Sequence, residues 1–130
     1  MASDAPPLAG FLPGPHAIDG YGAFGFRFAG MGHRGSILAL PTGIHAWVAA
    51  TPADIGVDSL AAVFAVPGGQ IELLLVGTGT DLIPIEPALR TWLKAAGIVA
   101  EPMSTGAAAR TYNVLLGEGR RVGAALLAVA

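Results

Sequence analysis

Two short glycine-containing loops hold the residues best suited to grip a ligand, Gly77-Thr78-Gly79 and Ser104-Thr105-Gly106, each closing an apolar run that reads as a strand. The second loop opens directly into Ala107-Ala108-Ala109-Arg110-Thr111-Tyr112-Asn113, the first turns of an expected helix. Thr105 can cap that helix, and Gly106 with Ala107 to Ala109 leaves its first amides open. Free amides and the helix dipole together attract anions. Arg110 lies one turn in, on the face it shares with Gly106 and Asn113, and long helical side chains lean toward the N-terminus. The chemistry expected is capture of a carboxylate, sulfate or phosphate by the Thr78 and Thr105 hydroxyls, the amides of Gly106 to Ala108 and the Arg110 guanidinium. A plainer reading stands beside it. Small residues at a helix start allow close packing on a sheet, Arg110 can pair with Glu118 or a carbonyl, and Gly77-Thr78-Gly79 suits a tight turn that needs glycine torsions.

Other chemistries find less support. Gly77-Thr78-Gly79 is too short for a dinucleotide or P-loop fingerprint, and Thr80 to Glu86, with its two prolines, follows it instead of a helix. His16, His33 and His45 fall in unrelated loops or strands with no acidic pair at ligand spacing, so no metal site is expected. Ser36, Ser59 and Ser104 lack the strand-to-helix elbow of a hydrolase nucleophile. The chain has no cysteine, which excludes disulfides, thiolate catalysis and zinc knuckles. Asp19 and Tyr21 read as turn and packing residues. Tyr112 reads as core-facing, its hydroxyl finding a polar partner at the edge of the core.

The elements that must position the two loops follow from hydrophobic pattern. Met1 to Ala17, rich in Pro, Gly and Ala, reads as an extended arm, and 18–130 as one domain. Phe24, Phe26 and Phe28 alternate with Gly25 and Arg27, the period of a half-buried strand. Gly30 to His33 reads as a turn, Ser36 to Leu40 and Ile44 to Ala49 as further strands, and the whole as an antiparallel meander. Thr51-Pro52-Ala53-Asp54 has the residues of a helix start. Gly56 weakens it and Asp58-Ser59 offers a second start, for a short helix ending near Ala65. Gln70 to Val76 reads as a strand buried on both faces. Pro87 to Ala96 is the clearest helix, with Leu89, Trp92, Leu93 and Ala96 on one stripe, which places Trp92 in the core. Ile98 to Met103 is a short or peripheral strand because Pro102 cannot donate to a ladder. Thr105 to Leu116 is the third helix and Arg121 to Val129 the last strand. Strand, helix and strand across Gln70 to Met103 make a βαβ unit, whose crossover is expected to be right-handed. If its strands are parallel, both loops lie at the sheet edge where α/β proteins bind ligands.

Composition bounds the partners. With 53% apolar and 12% charged residues in 130, the chain has enough apolar content for a core of its own and is not disordered. The net charge of −2, with seven dispersed basic residues of which Arg120-Arg121 is the one adjacent pair, argues against nucleic acid. The longest charge-free stretch, Gly35 to Ala53, is broken by Pro41, Gly43 and Pro52, so no membrane span is expected. The start of the chain has neither the basic n-region of a secretion signal nor the arginines of a transit peptide, and points to the cytoplasm. So little charge leaves little polar surface, and homo-oligomerisation is a reasonable expectation.

The run T-G-A-A-A-R-T-Y-N-V-L-L-G-E-G-R-R-V, from Thr105 to Val122, resembles the signature of the domain of unknown function 498 family. Ile18-Asp19-Gly20-Tyr21-Gly22 and Gly35-Ser36-Ile37-Leu38 resemble its bacterial members, so the likeness covers roughly 18–129. The family includes the mitochondrial complex I assembly factor 3 of eukaryotes. The resemblance implies an α/β, three-layer Mth938-like fold: a central mixed β-sheet, flanking helices and an additional antiparallel β layer, with the last strand antiparallel to the others. Some relatives carry cysteine where this chain has Ala109, so a thiol role there does not apply here. Its functional implication is a non-enzymatic accessory or assembly factor, with respiratory-complex assembly components as partners and no cofactor. The rival, from another class, is a small-molecule-binding protein or enzyme using the crevice of Thr78, Thr105, Gly106 and Arg110.

Overall fold

The computed structural model describes residues 12–130, so most of the expected N-terminal arm lies outside the described residues. Its layers are set by strands that are apolar along their whole length. Strands β5 (Ile37–Leu40), β7 (Leu73–Gly77) and β9 (Val122–Leu126) are almost wholly buried. Such runs belong at the centre of a sheet covered on both faces. Around them runs a six-stranded sheet in the order β1-β6-β5-β9-β7-β8, with β1 (Leu12–Pro13), β6 (Gly43–Ala46) and β8 (Val99–Met103) completing it. It is mixed: β9 is parallel to β7 and antiparallel to β5. That corrects the expectation that the last strand opposes all the others. A 13-residue helix, long enough for a crossover, separates β8 from β9, so both run parallel to the β7 strand between them.

Period-2 side chains then send two apolar layers in opposite directions. On one face Leu38, Leu40, Leu74 and Val76 meet Leu60 and Val63 of the α1 (Ala61–Phe64) region and Leu89 and Leu93 of α2 (Pro87–Ala95). On the other, Ile37, Ala39, Leu75 and Leu126 meet Ala108, Ala109 and Tyr112 of α3 (Thr105–Gly117). Phe26 and Phe28 join that second layer from a separate antiparallel sheet of β2 (Gly20–Gly22), β3 (Gly25–Phe28) and β4 (Met31–Arg34).

Four sequence expectations are corrected here. The meander divides between two sheets, because β5 is apolar on both faces and enters the central sheet rather than pairing with β4. The expected turn from Gly30 to His33 is mostly strand β4; the turn is at Ala29-Gly30, both at positive φ. Thr51 to Asp54 forms only a 3-10 turn, with Gly56 separating it from α1. Trp92 is not in the core: it is 60% exposed while Leu89 and Leu93 are buried. Helix α2 packs on the edge strand β8, so only its sheet-facing line is covered.

That edge is itself blunted. The Val99 amide bonds the Glu72 carbonyl, which turns the Val99 and Glu101 groups toward β7 and those of Ala100 and Pro102 outward. Pro102 has no amide to offer, and Arg90 Nη1 donates to the Ala100 carbonyl at 2.9 Å. Both are devices against edge-to-edge pairing. The double variant Arg90→Ala, Pro102→Val restores up to two outward hydrogen bonds, each net about 0.5–1.5 kcal/mol, and should raise self-association roughly tenfold. Sedimentation velocity across a concentration series checks this; an unchanged profile refutes it.

Tyr112 ties α3 to the chain ahead of β2. It is fully buried, and its hydroxyl donates to the His16 carbonyl at 2.8 Å. Burial pushes the phenol up to about 12. An acid whose folded value is raised contributes full stability below its unfolded value, near 10, and loses it as pH climbs through the folded one. Unfolding free energy should therefore fall by up to about 2–3 kcal/mol between pH 10 and 12. Urea unfolding across that window should show the slope, and Tyr112→Phe should flatten it. A slope that persists in Tyr112→Phe would assign the loss to other groups.

Candidate functional site

The parallel strands β7, β8 and β9 all end on the same side of the sheet, and the two glycine-containing loops are there. The fold brings together Gly77, Thr78, Gly79, Ser104, Thr105, Gly106 and Ala107. The approach is close: a Cβ added to Gly77 would stand 2.9 Å from the Thr105 Cα. Thr105 is fully buried. Its hydroxyl donates to the Leu127 carbonyl at 2.7 Å and accepts from the Gly79 amide at 3.0 Å, while its own amide bonds the Gly79 carbonyl at 2.7 Å. One side chain thus joins the ends of β7 and β9 to the start of α3. Thr78 does the same for the loop beyond β7. Its hydroxyl donates to the Asp81 carbonyl at 2.6 Å, with the Met103 carbonyl at 3.1 Å, and accepts from the Ile83 amide at 2.9 Å.

The helix start is organised differently from the sequence expectation. Ser104, not Thr105, is the N-cap, accepting from the Ala107 amide at 3.4 Å. The Ala108 amide bonds the Ser104 carbonyl. Within this first turn only the Gly106 amide lacks a partner among the described residues. Tyr21 lies over it: a Cβ on Gly106 would run into the Tyr21 hydroxyl. Arg110 is exposed and its Nη1 donates to that hydroxyl at 3.3 Å. Asn113 does not join the loops. Its side chain accepts from the Ile18 amide at 2.8 Å and donates to the Ile18 carbonyl at 2.7 Å, as a backbone pair would. Neither Arg110 nor Asn113 lines a cavity described below. The adjacent pair Arg120 and Arg121 is held by Glu72 at 3.1 and 2.7 Å, and the two guanidiniums draw the Glu72 carboxyl below its usual range.

What lies open at this end of the sheet is a groove. A cavity of about 350 Å³ is bordered by Phe24, Thr51, Thr78, Asp81, Ile83 and Val129. It shares Pro52, Thr78 and Ile83 with a second of about 270 Å³ that continues along Ile85, Glu86 and Leu89. That one shares Ala53 and Ile55 with a third, shallower depression running from Val48 to Asp58. Four of the nine large apolar side chains exposed among the described residues border these hollows: Phe24, Val48, Val57 and Ile83. Asp54, Asp58, Asp81 and Glu86 stand along them, and no Lys or Arg lines any of the three. The Asp54 carboxylate accepts from the Ala50 and Thr51 amides, which lowers its pKa.

Phe24 is the residue that pattern alone misplaces. It is not in a strand; with Ala23 it forms the two-residue loop between β2 and β3, both at positive φ, 52° and 60°. Hairpins favour such a turn with Asn-Gly, and a bulky residue in that conformation is strained. Its amide bonds the Val129 carbonyl at 2.7 Å and its ring is 58% exposed. Leu82 and Ile83 were equally hidden within the proline-containing segment after Gly79; apolar residues in a loop with no periodic partner were the available signal.

The sequence model of a family described as "Protein of unknown function (DUF498/DUF598)" matches residues 18–127, and the chain belongs to that family. An uncharacterized protein of Rhodobacter capsulatus is 54% identical over 98% of this chain and 93% of its own length. NADH dehydrogenase [ubiquinone] 1 alpha subcomplex assembly factor 3 of Xenopus tropicalis is 31% identical over 85% of this chain, which spans 60% of that protein. The crystal structure of an outer membrane protein from Bartonella henselae superposes with a TM-score of 0.85 at 47% identity, covering 91% of this chain and 98% of that one. A Mth938-like domain from Bordetella pertussis does so at 0.74 and 29%, covering 98% and 90%. The fold is thus Mth938-like. Among the described residues no helix is long and apolar enough to cross a membrane.

Proposed function

Starting from that family membership, we propose that this chain is a non-enzymatic accessory factor that acts through protein contacts during assembly of a larger complex. The observation that carries this reading is the contrast at the carboxyl end of the sheet. Both loop hydroxyls are engaged by backbone groups, whereas exposed apolar side chains gather around the adjoining groove. Exposed apolar surface concentrated in one place marks an interaction site, and the two hydroxyls, bonded to main-chain carbonyls, serve to hold the loops together. The assembly-factor relatives lend support, and the partners we propose are respiratory-complex components. Affinity capture of the tagged chain from its native host, read by mass spectrometry, tests this. Enrichment of components of one complex is expected, and its loss in the Phe24→Ser, Ile83→Ser variant places the contact in the groove. Capture that brings down nothing beyond a tag-only control overturns the reading.

The small-ligand reading keeps one specific support, the Gly106 amide, without a partner among the described residues, beside the exposed Arg110. It predicts that a carboxylate, sulfate or phosphate shifts the amide resonances of Gly106 to Ala108, and that Arg110→Ala abolishes the shift without unfolding the chain. Resonances that stay fixed across the panel leave the protein-contact reading alone.

A further inference from the structure

We propose that the groove at the carboxyl ends of β7 and β9 receives a basic, amphipathic segment of a partner protein. Its apolar side chains would sit against Phe24 and Ile83, and its Lys or Arg residues would face Asp58, Asp81 and Glu86. The inference rests on the protein-contact reading and adds the chemistry of the partner.

Three observations converge. The floor and rim are apolar and open: Ile85 and Leu89 lie at the bottom, nearly buried, while Phe24 and Ile83 are 58 and 40% exposed. Spaced apolar anchors in such a groove are the usual feature that an amphipathic helix or extended segment uses.

Charge is segregated. Asp58, Asp81 and Glu86 are exposed along the groove with no Lys or Arg in its lining. The chain's Lys and Arg residues are elsewhere: Arg120 and Arg121 on Glu72, Arg90 on the Ala100 carbonyl, Arg110 on Tyr21, Lys94 in the last turn of α2, Arg27 and Arg34 on β3 and β4. A single-sign rim around an apolar floor attracts the opposite sign and rejects its own.

Phe24 is held out toward solvent on a left-handed turn that glycine or asparagine would adopt more readily. Strain kept at an exposed aromatic, on the rim of a groove, is intelligible if the ring contacts something the isolated chain lacks. An acidic segment would meet like charge on the rim, and a second copy of this chain would have to present a basic apolar strip. Its own exposed arginines Arg27 and Arg34 stand instead in strands beside Gly25 and Gly32.

The experiment uses the full chain and a synthetic peptide of about 15 residues, with Leu at helical spacing and Lys between, against the same peptide with Glu for Lys. Amide shift mapping should place the Lys peptide on 48–58, 78–86 and 127–130, with Phe24. Affinity by fluorescence anisotropy should fall at least about tenfold between about 50 and 300 mM salt, since rim charges are screened. Asp58→Asn, Asp81→Asn, Glu86→Gln together should cost a similar factor, and Phe24→Ser should weaken binding at every salt concentration. All four positions are exposed, so folding is retained and urea unfolding confirms it. Shifts on β2 to β4 or along α3, equal binding of the Glu peptide, or an unaffected triple variant each overturn the proposal. So does concentration-dependent dimerisation that maps to the groove. Partners captured equally well by the triple variant would sink this proposal and leave the protein-contact reading standing; an empty capture removes that reading on separate grounds.

Discussion

Leu93→Ala is expected to lower the unfolding free energy by about 2–5 kcal/mol, and Trp92→Ala, one residue earlier on the same helix, by less than about 1 kcal/mol. The ranking opposes side-chain size. Leu93 is wholly buried among Leu74, Leu89 and Ile98, so truncation leaves a cavity between α2 and the sheet. Trp92, 60% exposed, leaves only surface behind. Denaturant unfolding of the two variants checks the pair. A Trp92→Ala loss as large as that of Leu93→Ala would mean that α2 is turned about its axis relative to the arrangement described here.

The same helix anchors one wall of the groove. Leu89 is shared between the core beneath α2 and the cavity that runs past Ile85 and Glu86. The segment from Thr80 to Glu86 is therefore held at both ends, by Thr78 at β7 and by Leu89 at α2, with Leu82 and Ile83 displayed between. The opposite wall begins at Trp47, whose indole donates to the Ser59 carbonyl at 2.8 Å and fixes the loop carrying Val48 and Val57. A surface built on such struts is preorganised, which limits the ordering cost a partner must overcome.

How much of this was legible in the sequence depends on what made each residue distinctive. The parallel pairing of β7 with β8 followed from two apolar runs around an amphipathic helix, because a crossover of that length leaves little else to form. The loops at Thr78 and Thr105 were found by their glycines, and the fold does bring them together. Their partners were not legible: main-chain carbonyls of Leu127 and Asp81 carry no sequence mark, so the hydroxyls read as free for a ligand. Trp92 illustrates a second limit. Helical periodicity gives a stripe but not its width, and the width depends on how far the sheet extends beneath. Phe24 illustrates a third. Its alternation with Phe26 and Phe28 matched a strand, and only the pairing of Gly22 with Gly25 shows that the chain reverses there.

Thr105→Val should cost about 2–4 kcal/mol although valine nearly matches threonine in shape, so no cavity explains the loss. Among the described residues the hydroxyl bonds both the Leu127 carbonyl and the Gly79 amide, and valine leaves the buried carbonyl and the part-buried amide without their Thr105 partner. An unsatisfied buried polar group costs about 1–3 kcal/mol, and with the smaller cost of the part-buried amide the loss exceeds the small hydrophobic gain of an added methyl. Thr105→Ser keeps the oxygen and should recover most of the stability, losing only the packing of one methyl group. Urea unfolding gives the magnitudes, and hydrogen exchange of the Gly79 amide reports whether the end of β7 has come loose. The contrast also separates the two functional readings. A hydroxyl that holds strands together makes Thr105→Val unstable, and partner capture then fails only in proportion to unfolding. A hydroxyl that serves a ligand would leave Thr105→Val as stable as the parent and deficient in binding alone.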